Sequence, residues 1–243
     1  MRKRVGFLFV AVLVTLCFLP LDSARAFHPS AFYAREAVGL ARGPAFQVYD
    51  QSGNLVFTRF VLNPDFTTDL GLGRWERFDF KTFFFEDGIL VCGRETAGLA
   101  RGPAFQVWDS AGNLQVTRFV LNPDFTETNC LTADLDFDGS NEIIVWGRET
   151  LGLARGPAFQ IFDLLGNLLL TRFVLNPDFT EVTVATPLNI DFSGREILIG
   201  GRESAGLARG YAHQVWDRNG TFLFTRFILN GDFRGPLLID RGF

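Results

Sequence analysis

The sequence predicts an all-β protein, a β-propeller of four four-stranded antiparallel blades closed by its C-terminal strand. Three observations carry that expectation. One phrase, G-R-E-x-x-G-L-A-R-G-P-A-F-Q-V-x-D-x-x-G-N-L-x-x-T-R-F-V-L-N-P-D-F-T, recurs four times with small changes. Within each copy, short β-rich runs are bounded by Gly, Pro, Asn and Asp, and none keeps a helical period. The runs are apolar on both sides, so a single sheet cannot bury its faces and must stack on neighbours, which radially makes a propeller.

The second arginine of the phrase falls at Arg42, Arg101, Arg155 and Arg209, at intervals of 59, 54 and 54 residues. The units therefore run at about 27–65, 66–124, 125–178 and 179–232, and they fill residues 27–243. In the third unit the expected strands, A to D, are 128–134, 142–148, 158–163 and 167–175. Asp163-Leu164-Leu165-Gly166 reads as a tight hairpin between C and D whose glycine takes a positive φ. Asn176-Pro177-Asp178 turns the chain toward the next unit. The first unit has B, C and D strands at 32–35, 45–50 and 55–62 and nothing before them to serve as A. Residues 235–240 follow the last D strand and are expected to supply that missing strand, so that no edge is left open.

Residues 1–26 read as a secretory signal: Arg2, Lys3 and Arg4, an apolar run ended by Pro20 and Asp22, then Ala24-Arg25-Ala26. Cys17 follows Leu16, where a lipid-modified signal carries a small residue, so no lipid anchor is expected. An exported protein is implied, periplasmic, secreted or on the cell surface, with no membrane span once the signal is removed. The remainder carries 19 basic and 26 acidic side chains, net −7, which argues against nucleic-acid binding. Lys81 is its sole lysine, so positive charge rests on guanidiniums suited to specified pairing. Cys92 and Cys130 are free to form one disulfide or to stay as buried thiols.

The stretch TADLDFDGSNEIIVWG at 132–147, followed by GPAFQIFD at 156–163, resembles the FG-GAP or VCBS repeat of integrin-α-like propellers. The repeat pattern covers essentially all of 27–243, while the full acidic loop occurs once. Members of that family commonly have seven blades; four implies either a monomer closed on itself or a homodimer sharing a larger ring. Alternating Asp134, Asp136 and Asp138, a bend at Gly139 and a returning Glu142 can wrap oxygen ligands around a hard cation. The Ser140 carbonyl and waters would complete a calcium shell, and the loop is not an EF-hand, since its twelfth position is Val145. Similarity to the family's D-x-D-x-D-G-x-x-D/E loop assigns Asp134, Asp136, Asp138 and Glu142 as side-chain ligands of one structural calcium; the alternative is a solvated acidic hairpin. The counterpart at 189–196 is shorter, has lost two carboxylates and has gained Arg195, so no metal is expected there. The segment 75–88 has lost the pattern.

Three sets of arginines recur: Arg35, Arg94, Arg148 and Arg202 at the ends of B strands, Arg42, Arg101, Arg155 and Arg209 in B–C loops, and Arg59, Arg118, Arg172 and Arg226 on D strands. They pair with repeated acids such as Asp50, Asp109, Asp163 and Asp217, or the loop set (Arg42, Arg101, Arg155, Arg209) faces an acidic or sulfated ligand. Catalysis has little support, because His28 lies near the start of the mature chain and His213 merely replaces a repeated Phe. The expected function is a non-enzymatic binding, adhesion or protein-interaction module. A carbohydrate-binding propeller is the alternative, with Tyr49, Trp108, Phe162 and Trp216 available to stack on sugars.

Overall fold

The computed structural model describes residues 30–35, 44–50, 52–60, 66–79, 84–95, 102–120, 125–149, 156–174, 179–185, 195–203 and 210–227. Among them are strands and no helix, in four antiparallel sheets that follow the repeats. The first holds β1 (Ser30–Arg35), β2 (Pro44–Tyr49) and β3 (Leu55–Phe60). The second holds β4 (Phe66–Asp79), β5 (Phe84–Glu95), β6 (Gly102–Asp109) and β7 (Leu114–Phe119). The third holds β8 (Phe125–Ala133), β9 (Glu142–Glu149), β10 (Gly156–Phe162) and β11 (Leu168–Phe173). The fourth holds β12 (Phe179–Ala185), β13 (Ile197–Glu203), β14 (Gly210–Trp216) and β15 (Phe222–Phe227). Each is a meander in chain order, and among the described residues the first has three strands. The strand expected at 235–240 lies outside the described residues.

Of the segment 75–88, which reads as patternless, residues 75–79 and 84–88 are regular strand: β4 and β5 pair from Leu72↔Val91 out to Asp79↔Phe84. A long hairpin thus stands where the third sheet has its acidic loop. Its regularity comes from backbone pairing, which side-chain pattern does not encode.

Every C–D hairpin is built alike. Asp163 N–H donates to the Asn167 carbonyl at 3.0 Å and Gly166 N–H to the Asp163 carbonyl at 2.9 Å, with Gly166 at φ 78° and a register shift in the ladder beside it. This is a turn followed by a left-handed glycine bulge, a form that suits the twist of antiparallel strands. Asp163 also accepts from Asn167 through both carboxylate oxygens, and Asp50 and Asp109 do the same with Asn54 and Asn113. Across the ladder, Gln47, Gln106, Gln160 and Gln214 each donate to the paired Thr58, Thr117, Thr171 or Thr225.

The middle strands bury both faces. In β9, Ile143 and Val145 enter one core with Leu90, Phe105 and Phe162, while Ile144 and Trp146 enter another with Phe159, Ile199 and Trp216. A further core joins Phe46 and Val48 to Ile89, Val91 and Trp108. Each core lies between two consecutive sheets. An aromatic pair recurs in all three: Phe46 with Trp108, Phe105 with Phe162 and Phe159 with Trp216, edge to face at 5.6, 5.2 and 5.9 Å. Cys92 and Cys130 are joined in a buried disulfide between the second and third sheets, their Cα atoms 6.2 Å apart.

The D-strand arginines correct the pairing expected of them. Arg59 Nε donates to the Gly112 carbonyl at 2.6 Å, Arg118 Nε to Gly166 at 3.0 Å and Arg172 Nε to Gly220 at 2.7 Å. Each arginine therefore grips the hairpin of the next sheet, whose Asp is already bonded within its own turn. A Cβ on Gly166 would stand 2.7 Å from Val116 and 2.8 Å from Arg118, so close approach as well as φ requires glycine. The series stops at the ends of the stack. Gly53 has nothing within 4 Å of where its Cβ would be, and closure of the four sheets on one another is not made among the described residues.

Replacing Arg118 with Ala is expected to cost about 1–2 kcal/mol by removing the grip, and Gly166→Ala about 1–2 kcal/mol for its φ, plus the displaced Arg118. In a double-mutant cycle by denaturant unfolding the double variant loses less than the sum of the two single losses, because both break one contact; full additivity contradicts the grip. The disulfide closes 38 residues of sequence, so Cys92→Ala with Cys130→Ala is expected to lower unfolding free energy by about 4 kcal/mol, read against the oxidised protein.

Candidate metal centre

Between β8 and β9 the chain leaves the third sheet and returns at Glu142, through Phe137 at φ 61° and Gly139 at φ 86°. A phenylalanine in the left-handed region costs about 1–2 kcal/mol, and the carboxylates of the loop hold it there. Asp134 Oδ2 accepts from Gly139 N–H at 3.0 Å, Asp136 Oδ1 from Asp138 N–H at 3.2 Å and Asp138 Oδ1 from Ser140 N–H at 2.7 Å.

The wrapping brings one carboxylate oxygen from each of Asp134, Asp136 and Asp138 within 4.8 Å of the others. Asp134 Oδ1 is buried and accepts no hydrogen bond among the described residues. An orphaned anionic oxygen beside two further carboxylates fits a hard, oxygen-seeking cation of the calcium type. Ser140 is held in the same loop by Asp138. Glu142 is tied differently: its Oε2 accepts from Leu135 N–H at 2.8 Å.

Burial holds the Asp134 carboxyl above its ordinary value, with Asp138 and Asp136 adding repulsion against the Gly139 and Phe137 N–H groups. Glu142 is pushed up to about 7, by burial first; the Leu135 N–H opposes this, and the three loop aspartates add to it.

The fourth sheet touches this loop through residues that sequence reading did not connect to it. Arg195 N–H donates to the Leu135 carbonyl at 2.8 Å and its guanidinium lies 5.8 Å from the Phe137 ring centre. Arg218 Nη1 reaches the Asp136 carbonyl at 3.4 Å. A cavity of about 470 Å³ opens beside the loop, lined among others by Asp136, Glu142, Arg172 and Arg218. Arg195 was legible only as a change inside its own loop, since nothing in the sequence says that it lies against the loop of the preceding unit.

Of the other expected site residues, Arg42, Arg101, Arg155 and Arg209 lie outside the described residues. Arg94 Nη1 donates to the Phe125 carbonyl of the next sheet. Trp108, Phe162 and Trp216 are only 7, 5 and 9% exposed, so these rings are packing elements and not a platform for sugars. His213 packs edge to face on Phe224 at 6.2 Å, its pKa lowered by burial and then by Arg226.

Comparison with protein-family models finds no match, and comparison with curated proteins finds none either. Among solved structures the chain is similar to the Dos1 propeller, at 12% sequence identity and a TM-score of 0.48, over 77% of this chain and 44% of that one. The chain thus spans less than half the length of that structure.

With a chelator present, the raised Glu142 carboxyl makes stability depend on pH. The folded state keeps a proton that the unfolded chain loses near 4.5, so this contribution is full below 4.5 and is lost as pH rises to about 7. His213, with its lowered pKa, acts in the opposite sense. Comparing melting temperatures of wild type and Glu142→Gln from pH 4.5 to 7.5 isolates the carboxyl. Wild type is expected to lose stability relative to Glu142→Gln across that window, and parallel profiles contradict the assignment.

Proposed function

We propose that this chain is an exported, non-enzymatic protein-binding module of the adhesion type, whose four sheets are propeller blades and whose acidic loop holds one structural calcium ion. One observation carries the binding reading. The last residue of every D strand is an exposed phenylalanine, Phe60, Phe119, Phe173 and Phe227, at 48, 46, 48 and 52% exposure. In this reading the large apolar ring exposed at the same position of every repeat is a partner contact, used once per sheet. Resemblance of the acidic loop to FG-GAP repeats supports the same class.

Export is supported by the signal-like residues 1–26 and by the buried disulfide, a bond that persists in oxidising compartments. Calcium is supported by the convergence of Asp134, Asp136 and Asp138 and by the orphaned oxygen of Asp134. When bound, the ion supplies charge neutralisation and a rigid tie across the loop. Asp134, Asp136 and Asp138 would hold it, with Ser140 and Glu142 completing the set that the sequence suggests. In the propeller reading, 235–240 forms the fourth strand of the first blade. The non-enzymatic reading rests on the sequence, in which two histidines are far apart and no nucleophile–base pair is evident.

Calcium at a hundredfold excess over its dissociation constant is expected to add about 2.7 kcal/mol, seen as a rise in melting temperature that Asp136→Ala abolishes. The same folded protein, panned against a random peptide library and a glycan array, is expected to select peptides. Those peptides are expected to lose binding to a Phe119→Ser, Phe173→Ser variant whose melting temperature is retained. Glycan binding without peptides would replace this reading with the lectin one.

A further inference from the structure

Asn219-Gly220-Thr221 is the one place in the chain where an asparagine is followed, two residues on, by a hydroxyl side chain. Asn63, Asn122 and Asn176 precede proline, and the other asparagines have Val, Leu, Ile, Gln or Asp at that position. Asn-x-Thr, with x other than proline, is the acceptor sequence for N-linked glycans in exported proteins. A triplet alone recurs by chance, so its place in the fold decides whether it can act.

The triplet lies in the C–D hairpin of the fourth sheet, between β14 and β15, and the other three hairpins serve as controls. Their equivalents are Ser52-Gly53-Asn54, Ala111-Gly112-Asn113 and Leu165-Gly166-Asn167. There the residue after the glycine gives the turn aspartate two bonds, one from its backbone N–H and one from its side-chain amide. The pairs measure 2.8 and 3.0 Å for Asn54, 2.7 and 3.0 Å for Asn113, and 2.8 and 2.8 Å for Asn167. Thr221 keeps the backbone bond to Asp217, at 2.7 Å, but has no amide with which to make the second. In this hairpin the asparagine stands two places earlier. The exchange gives up a turn contact that the other copies keep, and it creates the acceptor triplet.

The residue before the turn glycine is exposed in all four hairpins, as Ser52, Ala111, Leu165 and Asn219. The fourth hairpin is held to the third sheet through its backbone: Arg172 Nε donates to the Gly220 carbonyl at 2.7 Å and Arg172 Nη2 reaches the Asn219 carbonyl at 3.5 Å. A sugar on the Asn219 amide therefore displaces neither contact. Asn219 lines the cavity of about 470 Å³ described above together with Leu169, which is 55% exposed, so there is room beside the hairpin for a first sugar and apolar surface for it to cover. Phe227 stands at the far end of β15, about 17 Å along the strand from Phe222, which leaves the repeated phenylalanines clear of a glycan placed here. Asn-Gly is also the pair in which the glycine nitrogen closes most readily on the side-chain carbonyl to expel ammonia. Here Gly220 N–H donates to the Asp217 carbonyl at 2.9 Å, which holds that nitrogen in the turn.

We propose that Asn219 is an N-glycosylation acceptor and that the C–D hairpin of the fourth sheet carries an N-linked glycan. The co-reactant is an oligosaccharide joined through pyrophosphate to a polyprenol lipid. Asn219 Nδ2 bonds to the anomeric carbon as the bond from that carbon to the pyrophosphate oxygen breaks. The lipid pyrophosphate leaves with the bonding pair, one amide proton passes to a base of the membrane-bound transferase, and nothing is oxidised or reduced. The Thr221 hydroxyl is the group by which the transferase recognises the acceptor. The proposal rests on the export proposed above, because transferase and lipid donor are met on that route.

The test is production of the full chain in a eukaryotic secretory host, with intact mass and peptide mapping of the exported protein before and after peptide-N-glycosidase. One glycan per chain is expected, on the peptide that holds Asn219, with aspartate left at that position by the glycosidase. Asn219→Gln and Thr221→Ala are each expected to be exported with the Cys92–Cys130 disulfide formed and without the glycan, and Thr221→Ser to keep it. Exported wild type without sugar overturns the proposal, and so does aspartate or isoaspartate at 219 with no sugar attached before glycosidase is added. A glycan that persists in both Asn219→Gln and Thr221→Ala overturns it as well. If the export reading is at fault, the full chain stays in the cell unmodified, while residues 27–243 behind a signal of the host are exported with the glycan on Asn219. An unglycosylated product of that second chain overturns the site itself.

Discussion

The middle strands of each sheet are apolar on both faces, and the rest of the structure follows from the need to cover each face. In β9 the alternation sends Ile143 and Val145 one way and Ile144 and Trp146 the other, into two different cores. No sheet of three or four strands can satisfy that alone, because the period of two exposes one apolar row for every row it buries. Stacking on both sides is the solution, and it makes each core a shared property of two repeats. Burying a side chain the size of Phe or Ile is worth about 1.5–3 kcal/mol, so the interfaces between sheets supply stability that no sheet has by itself.

The same constraint explains which parts of the repeat stay constant. The hairpin glycine, the D-strand arginine, the C-strand phenylalanine and the aromatic at the end of strand C all meet at the junctions. Gln and Thr of the same phrase lock C to D within the sheet. A change in any of the junction groups alters a contact with a neighbour, so drift at one copy is opposed by the next. Between the A and B strands the requirement is looser, and three solutions coexist: a long paired hairpin after β4, an acidic loop after β8 and a shorter segment before β13.

The acidic loop carries its own conflict. Its carboxylates organise the backbone by accepting N–H groups from Gly139, Asp138 and Ser140, and that same organisation brings three of them together around a buried oxygen. Repulsion and burial then favour either protons or a cation, as the raised Asp134 and Glu142 show. Arg195 and Arg218 from the fourth sheet approach the loop at backbone carbonyls and at the Phe137 ring, which tethers it without reaching the carboxylates by any described hydrogen bond.

By itself the sequence determined the number of repeats, the antiparallel order of the strands within each and the Asp-x-x-Gly hairpins. Those features depend on neighbours in sequence: period-two alternation, turn residues and pairing across a few positions. It also marked the loop from Asp134 to Glu142. Tertiary structure alone decided what each repeated charge and ring does. Arg59, Arg118 and Arg172 find backbone carbonyls 48–53 residues away instead of the nearby acids, Trp108 and Trp216 are buried between sheets, and Cys92 meets Cys130 across an interface. The physical reason is that a repeat specifies a sheet through local geometry, whereas the partner of a side chain that leaves the sheet depends on how the next sheet is placed against it. The repeated arginine can therefore be read from the chain, but the carbonyls that Arg59, Arg118 and Arg172 grip can be read only from the stack.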